Sequence, residues 1–203
     1  MGRSIRFSAR GLALSRGFSL TELVVTVAVM LVLAAIAIPT LTRAFAVYQL
    51  NDNASRLSGI LKYTRYEAIR LNKQVPARVL AVGSNWSVFA DTNGNGVADP
   101  SEAIDMIVLP LTLVPAAGMP DTTPISSSLG NPVLVLNSIS AMNATVMFDA
   151  RGAALGPNNN STVYVLYLGN TADTDIGYRA VVLMPSGMVQ VWSSAGGTWQ
   201  LVG

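Results

Sequence analysis

The sequence predicts an α+β fold: a long N-terminal helix, membrane-spanning in its first half and amphipathic in its second, packed on a head of antiparallel β-sheet. Three observations predict it. Residues 23–42 form a twenty-residue run without a charge, and at helical rise such a run spans about 30 Å, the thickness of a bilayer's hydrocarbon core. A stripe of apolar residues at alternating spacings of three and four comes next, from Val47 to Leu71. Beyond residue 76 the texture changes to short β-rich runs divided by Gly, Pro, Asn and Ser, and a run of strands behind a helix indicates segregated α and β parts.

The leader comes first. Residues 1–17 hold four basic side chains (Arg3, Arg6, Arg10, Arg16) and no acid, which keeps the N-terminus cytoplasmic and sends the rest of the chain across the membrane. Glu22 stands at the mouth of the apolar run. A carboxylate in or beside a membrane segment costs about 2.5–3.5 kcal/mol at the centre and less at the interface, so it is a functional candidate by default. An ordinary secretory signal with its cut near Ala34-Ala35-Ile36-Ala37, and an uncut single-pass anchor, are the competing readings of this end. Near the outer end of the run, Pro39 removes a helical hydrogen bond, which predicts a kink or a melted turn.

The second half of the helix, over residues 43–75, rests on Val47, Leu50, Ala54, Leu57, Leu61, Thr64, Ala68 and Leu71, a single stripe that packs on the head's own sheet. Arg56, Lys62, Arg65 and Arg70 are expected on the opposite face, and Asn72 with Pro76 ends the helix. In the head, residues 76–203, strands are predicted at Arg78–Val82, Trp86–Ala90, Met106–Leu109, Val133–Leu136, Ala144–Phe148, Val163–Leu168, Arg179–Met184, Met188–Trp192 and Thr198–Val202. Pro110 to Pro132 contains five prolines and many Ser and Thr residues, which predicts a long surface loop. Gly156–Ser161 is a shorter one.

Composition narrows the chemistry. The 203-residue chain has no cysteine and no histidine, so it lacks disulfides, thiol chemistry and the commonest general base and metal ligand. From Val79 onward the head has no lysine, and its acids cluster in the stretch Asp91–Glu102. Without His, Cys or a Ser–Lys arrangement the sequence reads as no enzyme. Trp86, Trp192 and Trp199 read as core or half-core residues.

Gly17-Phe18-Ser19-Leu20-Thr21-Glu22-Leu23 resembles the type III signal of type IV prepilins and type II secretion pseudopilins. The resemblance implies a prepilin peptidase that cuts after Gly17 and methylates the new amine of Phe18. It gives Glu22 the role of assembly carboxylate, set opposite the N-terminus of a neighbouring subunit. It places Pro39 where pilin helices commonly bend. Removing residues 1–17 leaves nine basic against eleven acidic residues, so the net charge falls from +2 to −2. Trp86–Gly96, Val146–Gly152 and Val181–Val189 resemble segments of the GspH/FimT group of pseudopilins and minor pilins. The implied protein is a structural minor subunit of a secretion pseudopilus or type IV pilus. Its head would be periplasmic and its helix in the inner membrane. Its partners would be the peptidase, other pilin subunits, the inner-membrane assembly platform and lipid.

Two ligand readings accompany this. Asp91, Asn93, Asn95, Val97 (through its carbonyl), Asp99 and Glu102 stand at positions one, three, five, seven, nine and twelve of a calcium-type loop, with Gly96 at the sharp turn. An Asn/Gly turn that caps its own backbone is the competing reading of the same residues. Some FimT-like minor pilins take part in DNA uptake. Here, however, the head from Val79 carries two basic residues against eight acids, which repels phosphate. The stretch Ser186–Trp192, comparable to the arginine motif of DNA-binding members, has no arginine.

Overall fold

The computed structural model describes residues 17–82, 85–107, 111–112, 120–121, 123–128, 143–156, 158–160, 162–169, 174–195 and 197–203. The predicted leader up to Arg16 and the predicted strand Val133–Leu136 lie outside them. Helix α1 runs from Leu20 to Leu71. It is unbroken across Pro39, so no turn is melted there. The chain divides into two compact units, residues 1–42 and 43–203.

In the second unit, α1 ends by a mechanism its residues dictate. Asn72 adopts a left-handed conformation (φ 48°), which asparagine tolerates better than most side chains. Its N–H reaches the Ile69 carbonyl (3.2 Å), and the Lys73 N–H reaches Ala68 (3.2 Å). This pair of bonds is the Schellman closure, satisfying carbonyls that the ending helix would leave open. Pro76 plays no part in that termination, contrary to expectation. It lies inside the first strand, where it pairs with Met147 and accepts the Asp91 N–H through its carbonyl.

Among the described residues ten strands form two antiparallel sheets. In the first, β1 (Val75–Val82) is central. It pairs with β2 (Asn85–Ala90) and β5 (Asn143–Phe148), while β3 (Ile104–Ile107) and β6 (Ala154–Leu155) form the edges. In the second, β8 (Tyr178–Leu183) lies between β7 (Tyr164–Gly169) and β9 (Val189–Ala195). Here β4 (Leu111–Thr112) and β10 (Thr198–Leu201) are the edges.

Leu50, Ala54, Leu57, Leu61 and Ala68 of α1 join Val75, Val79, Val88, Ile107, Val146 and Phe148 of the first sheet in one core. Leu166, Leu168, Val181 and Leu183 of the second sheet complete it. Each fully buried Leu there contributes about 1.5–3 kcal/mol through removal from water. Six of the eight stripe residues are buried and Val47 and Leu71 are half-buried, as the spacing predicts.

In the second sheet β7 and β8 are buried on both faces. Alternate residues Val165, Tyr167, Tyr178, Ala180, Val182 and Trp192 turn away from α1 into a separate cluster with Ile125 and Trp199. Double burial explains the near-continuous apolar runs of β7 and β8.

The long loop expected over 110–132 is corrected in two places. Residues 111–112 pair with β7 as β4, and Thr123–Ser128 forms a short helix, α2. Asp121 Oδ1 accepts the N–H and the hydroxyl of Thr123 (3.0 and 2.6 Å). Pro124, a ring suited to a helix's first turn, comes immediately after.

Candidate functional site

At the start of α1 the Ser19 carbonyl accepts the Leu23 N–H (3.1 Å), and its hydroxyl oxygen accepts the Glu22 N–H (3.1 Å). Ser19 is therefore the N-cap and Glu22 the third helical residue, the Ser-x-x-Glu spacing of a capping box. The carboxylate lies in the first turn, where the helix dipole favours negative charge. Sequence reasoning singled out Glu22 and missed Ser19, although the three-residue spacing was the available signal. Phe18 is 79% exposed just outside the cap. A side chain added at Gly17 would meet no atom of the described residues within 4 Å.

Beyond the cap, the large apolar side chains of the run (Leu23, Val24, Val25, Val27, Met30, Leu31, Leu33, Ile36, Ile38) are exposed. Its most apolar 18-residue window has mean hydropathy 2.6 with none of it buried, so this helix is long and apolar enough to cross a membrane. An uninterrupted surface of this kind demands a cover of lipid or protein.

The 91–102 loop, in the head, is organised around its own carboxylates. Asp91 Oδ2 pairs with Arg78 Nε at 2.5 Å and accepts the Gly96 N–H (2.9 Å), while Oδ1 accepts the Gly94 N–H (2.7 Å). Burial alone would raise the Asp91 carboxyl, but hydrogen bonds from Arg78, Gly96 and Gly94 outweigh it and hold it below the ordinary carboxylate range. Glu102 Oε1 accepts the Thr92 N–H (2.7 Å), and its Oε2 accepts the Asp99 N–H (3.3 Å). Asn93 and Asn95 both give their amide N–H groups to Asp99 Oδ2, at 2.6 and 2.7 Å. Their oxygens accept the N–H groups of Asn95 and Val97. Among the described residues no group of three acidic side chains is placed to hold a metal ion.

As placed, these groups do not fit a calcium ion. One carboxylate carries a guanidinium, and the two asparagine oxygens serve the backbone. Gly94 and Gly96, both at positive φ, let the backbone turn so that its N–H groups point inward. As placed, the loop caps its own backbone.

Of the four cations expected along the outer face of the helix, the three arginines are separately engaged. Arg56 bridges Asp52 (2.7 Å) and Asp105 (2.8 Å), and Arg70 pairs with the buried Glu67 (2.6 Å). Lys73 donates to the Thr92 carbonyl (2.7 Å). Arg65 does not sit on the solvated face as expected. It is half-buried and donates to the Gly152 carbonyl (3.1 Å), under the 149–152 and 185–187 turns. Four residues on from Leu61, it lies at the margin of the apolar stripe. Lys62 has no hydrogen-bond or ion-pair partner among the described residues. The helix therefore presents no row of free cations for a phosphate backbone.

With the fold and these positions in hand, the family is decided by sequence: the family described as type II transport protein GspH matches residues 53–187. The chain belongs to the GspH family. The match takes in the second half of α1, both sheets up to the 185–187 turn, and the 91–102 loop. Among solved structures, two crystal forms of the type IV minor pilin FimU of Pseudomonas aeruginosa (strain PAO1) are similar. Each is 17% identical with a TM-score of 0.44, one covering 75% of this chain and 93% of that chain, the other 74% and 97%. No curated protein matches the sequence. A GspH/FimT-like pilin is a structural subunit, and its expected partners are other pilin subunits.

Proposed function

We propose that this GspH-family chain is a minor subunit of a type II secretion pseudopilus or a type IV pilus, assembled through the first half of α1. The observation that carries this is the start of that helix: a capped carboxylate, Glu22, heading a run of exposed apolar side chains. Before assembly the run anchors the precursor in the inner membrane with the head in the periplasm. Prepilin peptidase cuts after Gly17. Phe18 becomes the methylated N-terminus. In a helix bundle of low dielectric, Glu22 pairs with the amine of a neighbouring subunit and sets axial register. An unpaired carboxylate there is costly, so pairing favours docking.

Mass spectrometry of the protein from cells that contain the peptidase should give a chain beginning at Phe18. A start near Ile38 would indicate a signal peptide, and a start at Met1 or Gly2 an uncut anchor. Glu22→Ala should be processed normally yet fail to enter sheared filaments or to cross-link with other pilin subunits. Normal incorporation of that variant would sink the pairing mechanism. The 91–102 loop, by this reading, is a structural turn held by Arg78 and by its own N–H groups, and needs no calcium.

A further inference from the structure

The 91–102 loop contains two Asn-Gly pairs, Asn93-Gly94 and Asn95-Gly96, the only two in the chain. Asparagine is thermolabile, and it is most reactive before glycine, where no side chain shields the nitrogen that follows. Once that nitrogen has given its proton to water or hydroxide, it attacks the asparagine Cγ. A C–N bond forms, the Cγ–Nδ2 bond breaks, and the leaving amide takes a proton from water to depart as ammonia. The succinimide ring then adds water to give aspartate or isoaspartate. Nucleophile and target sit in one chain, so solvent is the only other reactant.

Asn93, Gly94 and Asn95 are exposed, so solvent reaches this part of the loop. Both asparagines fold back along their own backbone. Asn93 Oδ1 accepts the Asn95 N–H (2.9 Å), and Asn95 Oδ1 accepts the Val97 N–H (2.8 Å). Each of these turns encloses one of the glycines, and the donated N–H polarises the carbonyl that would be attacked. Asp91, only 1% exposed, opposes this. Its Oδ1 accepts the Gly94 N–H (2.7 Å) and its Oδ2 the Gly96 N–H (2.9 Å). A carboxylate at that range stabilises the N–H form and repels the charge of a deprotonated nitrogen. One buried side chain thus restrains both nucleophiles.

We infer that Asn93 and Asn95 are deamidation sites whose rate Asp91 sets, through its hold on the N–H groups of Gly94 and Gly96. Conversion is one-way in its effect on the loop. The Asn93 and Asn95 amides both donate to Asp99 Oδ2, at 2.6 and 2.7 Å. A carboxylate in place of either amide faces Asp99 as a like charge, so a hydrogen bond becomes a repulsion. The inference goes beyond the assembly reading and does not depend on it, since every group named lies in the second unit.

The test incubates the full chain in detergent micelles at mildly alkaline pH, well below its melting temperature. Each site is followed by peptide mapping with mass spectrometry. In the folded protein both asparagines should deamidate at least about tenfold more slowly than in the same protein unfolded by urea, the factor for one charge-assisted hydrogen bond. Asp91→Asn separates a specific hold from general rigidity. Arg78 Nε requires an oxygen, so the variant's amide oxygen takes the Oδ2 place and keeps the Gly96 N–H as well. Its NH2 group then faces the Gly94 N–H, which loses its acceptor. Asn93 should therefore speed up about tenfold, while Asn95 stays near the parental rate. Arg78→Ala removes the ion pair but leaves both Asp91 oxygens to accept, so both sites should stay slow. An unchanged Asn93 rate in Asp91→Asn, equal release of both sites there, or release in Arg78→Ala would overturn the inference. So would folded and unfolded rates that agree. Amide hydrogen exchange in the parent decides the matter without any variant. The Gly94 and Gly96 N–H groups should be protected, and exchange at the rate of a free loop would overturn the hold assigned to Asp91.

Discussion

Replacing Gly187 with alanine probes the joint that holds two turns beneath α1. Gly187 is at φ +78° and Gly152 at φ +80°. A Cβ on Gly187 would run into the Gly152 carbonyl oxygen and lie 2.7 Å from Arg65 Nε. The first neighbour is backbone and cannot swing away. The second is the group that donates to that same carbonyl. Left-handed backbone costs an alanine about 1–2 kcal/mol, and overpacking adds about 1–3 kcal/mol. With a weakened Arg65 hydrogen bond contributing about 1 kcal/mol more, the destabilisation is about 4 kcal/mol. At about 2–4 °C per kcal/mol for a domain of this size, the melting temperature should fall by roughly 8–16 °C.

Gly59→Ala is the matched control. It lies in α1, where an added Cβ meets nothing within 4 Å, and alanine in a helix gains about 0.5–1 kcal/mol over glycine. Circular dichroism of the full chain in detergent should therefore show opposite shifts for one and the same chemical change. A Gly187→Ala protein that melts within about 2 °C of the parent, where several kcal/mol are expected, would refute the claim that this close approach secures the turns.

Other perturbations rest on the same geometry. Leu57→Ala empties a fully buried place in the helix–sheet core and should cost about 2–5 kcal/mol by denaturant titration. The Asp91 carboxyl is held below its ordinary range in the folded state, so its contribution is complete above the unfolded value of about 3.9. That contribution is lost as pH falls through the lower folded value. Asp91→Asn should accordingly reduce stability at neutral pH and flatten the acid limb of the stability profile. Calcium at about 10 mM, tenfold above the weakest extracellular-type affinities of about 10⁻³ M, should leave the melting temperature unchanged. A rise that saturates would restore the calcium reading of the 91–102 loop.

The elements best read from sequence were those whose residues repeat a period against one neighbour. The stripe from Val47 to Leu71 is one, because a single helix face meets a single core. β7 and β8 were found for the opposite reason, apolarity on both faces, which the strand lengths disclosed without saying what covered the outer face. α2 was not legible: Thr123–Ser128 is six residues with one buried apolar side chain, Ile125, and a period needs more than one contact to show. Arg65 was misjudged and Arg179 was not singled out. Each spends a donor on a neutral oxygen, the Gly152 carbonyl and Asn51 Oδ1. Tertiary partners of that kind leave no local pattern. Glu22 was legible because a carboxylate beside twenty uncharged residues contradicts its surroundings.

The alternation of side chains across the second sheet has an optical consequence. Trp86 packs against the cluster that α1 shares with both sheets, whereas Trp192 and Trp199 belong to the cluster on the far side of β8, beneath α2. The indoles are thus distributed between two interiors that the same strands separate. Selective replacement by phenylalanine gives proteins whose fluorescence reports one interior at a time. Loosening of the outer cover and release of the long helix can then be watched as distinct events in a single molecule.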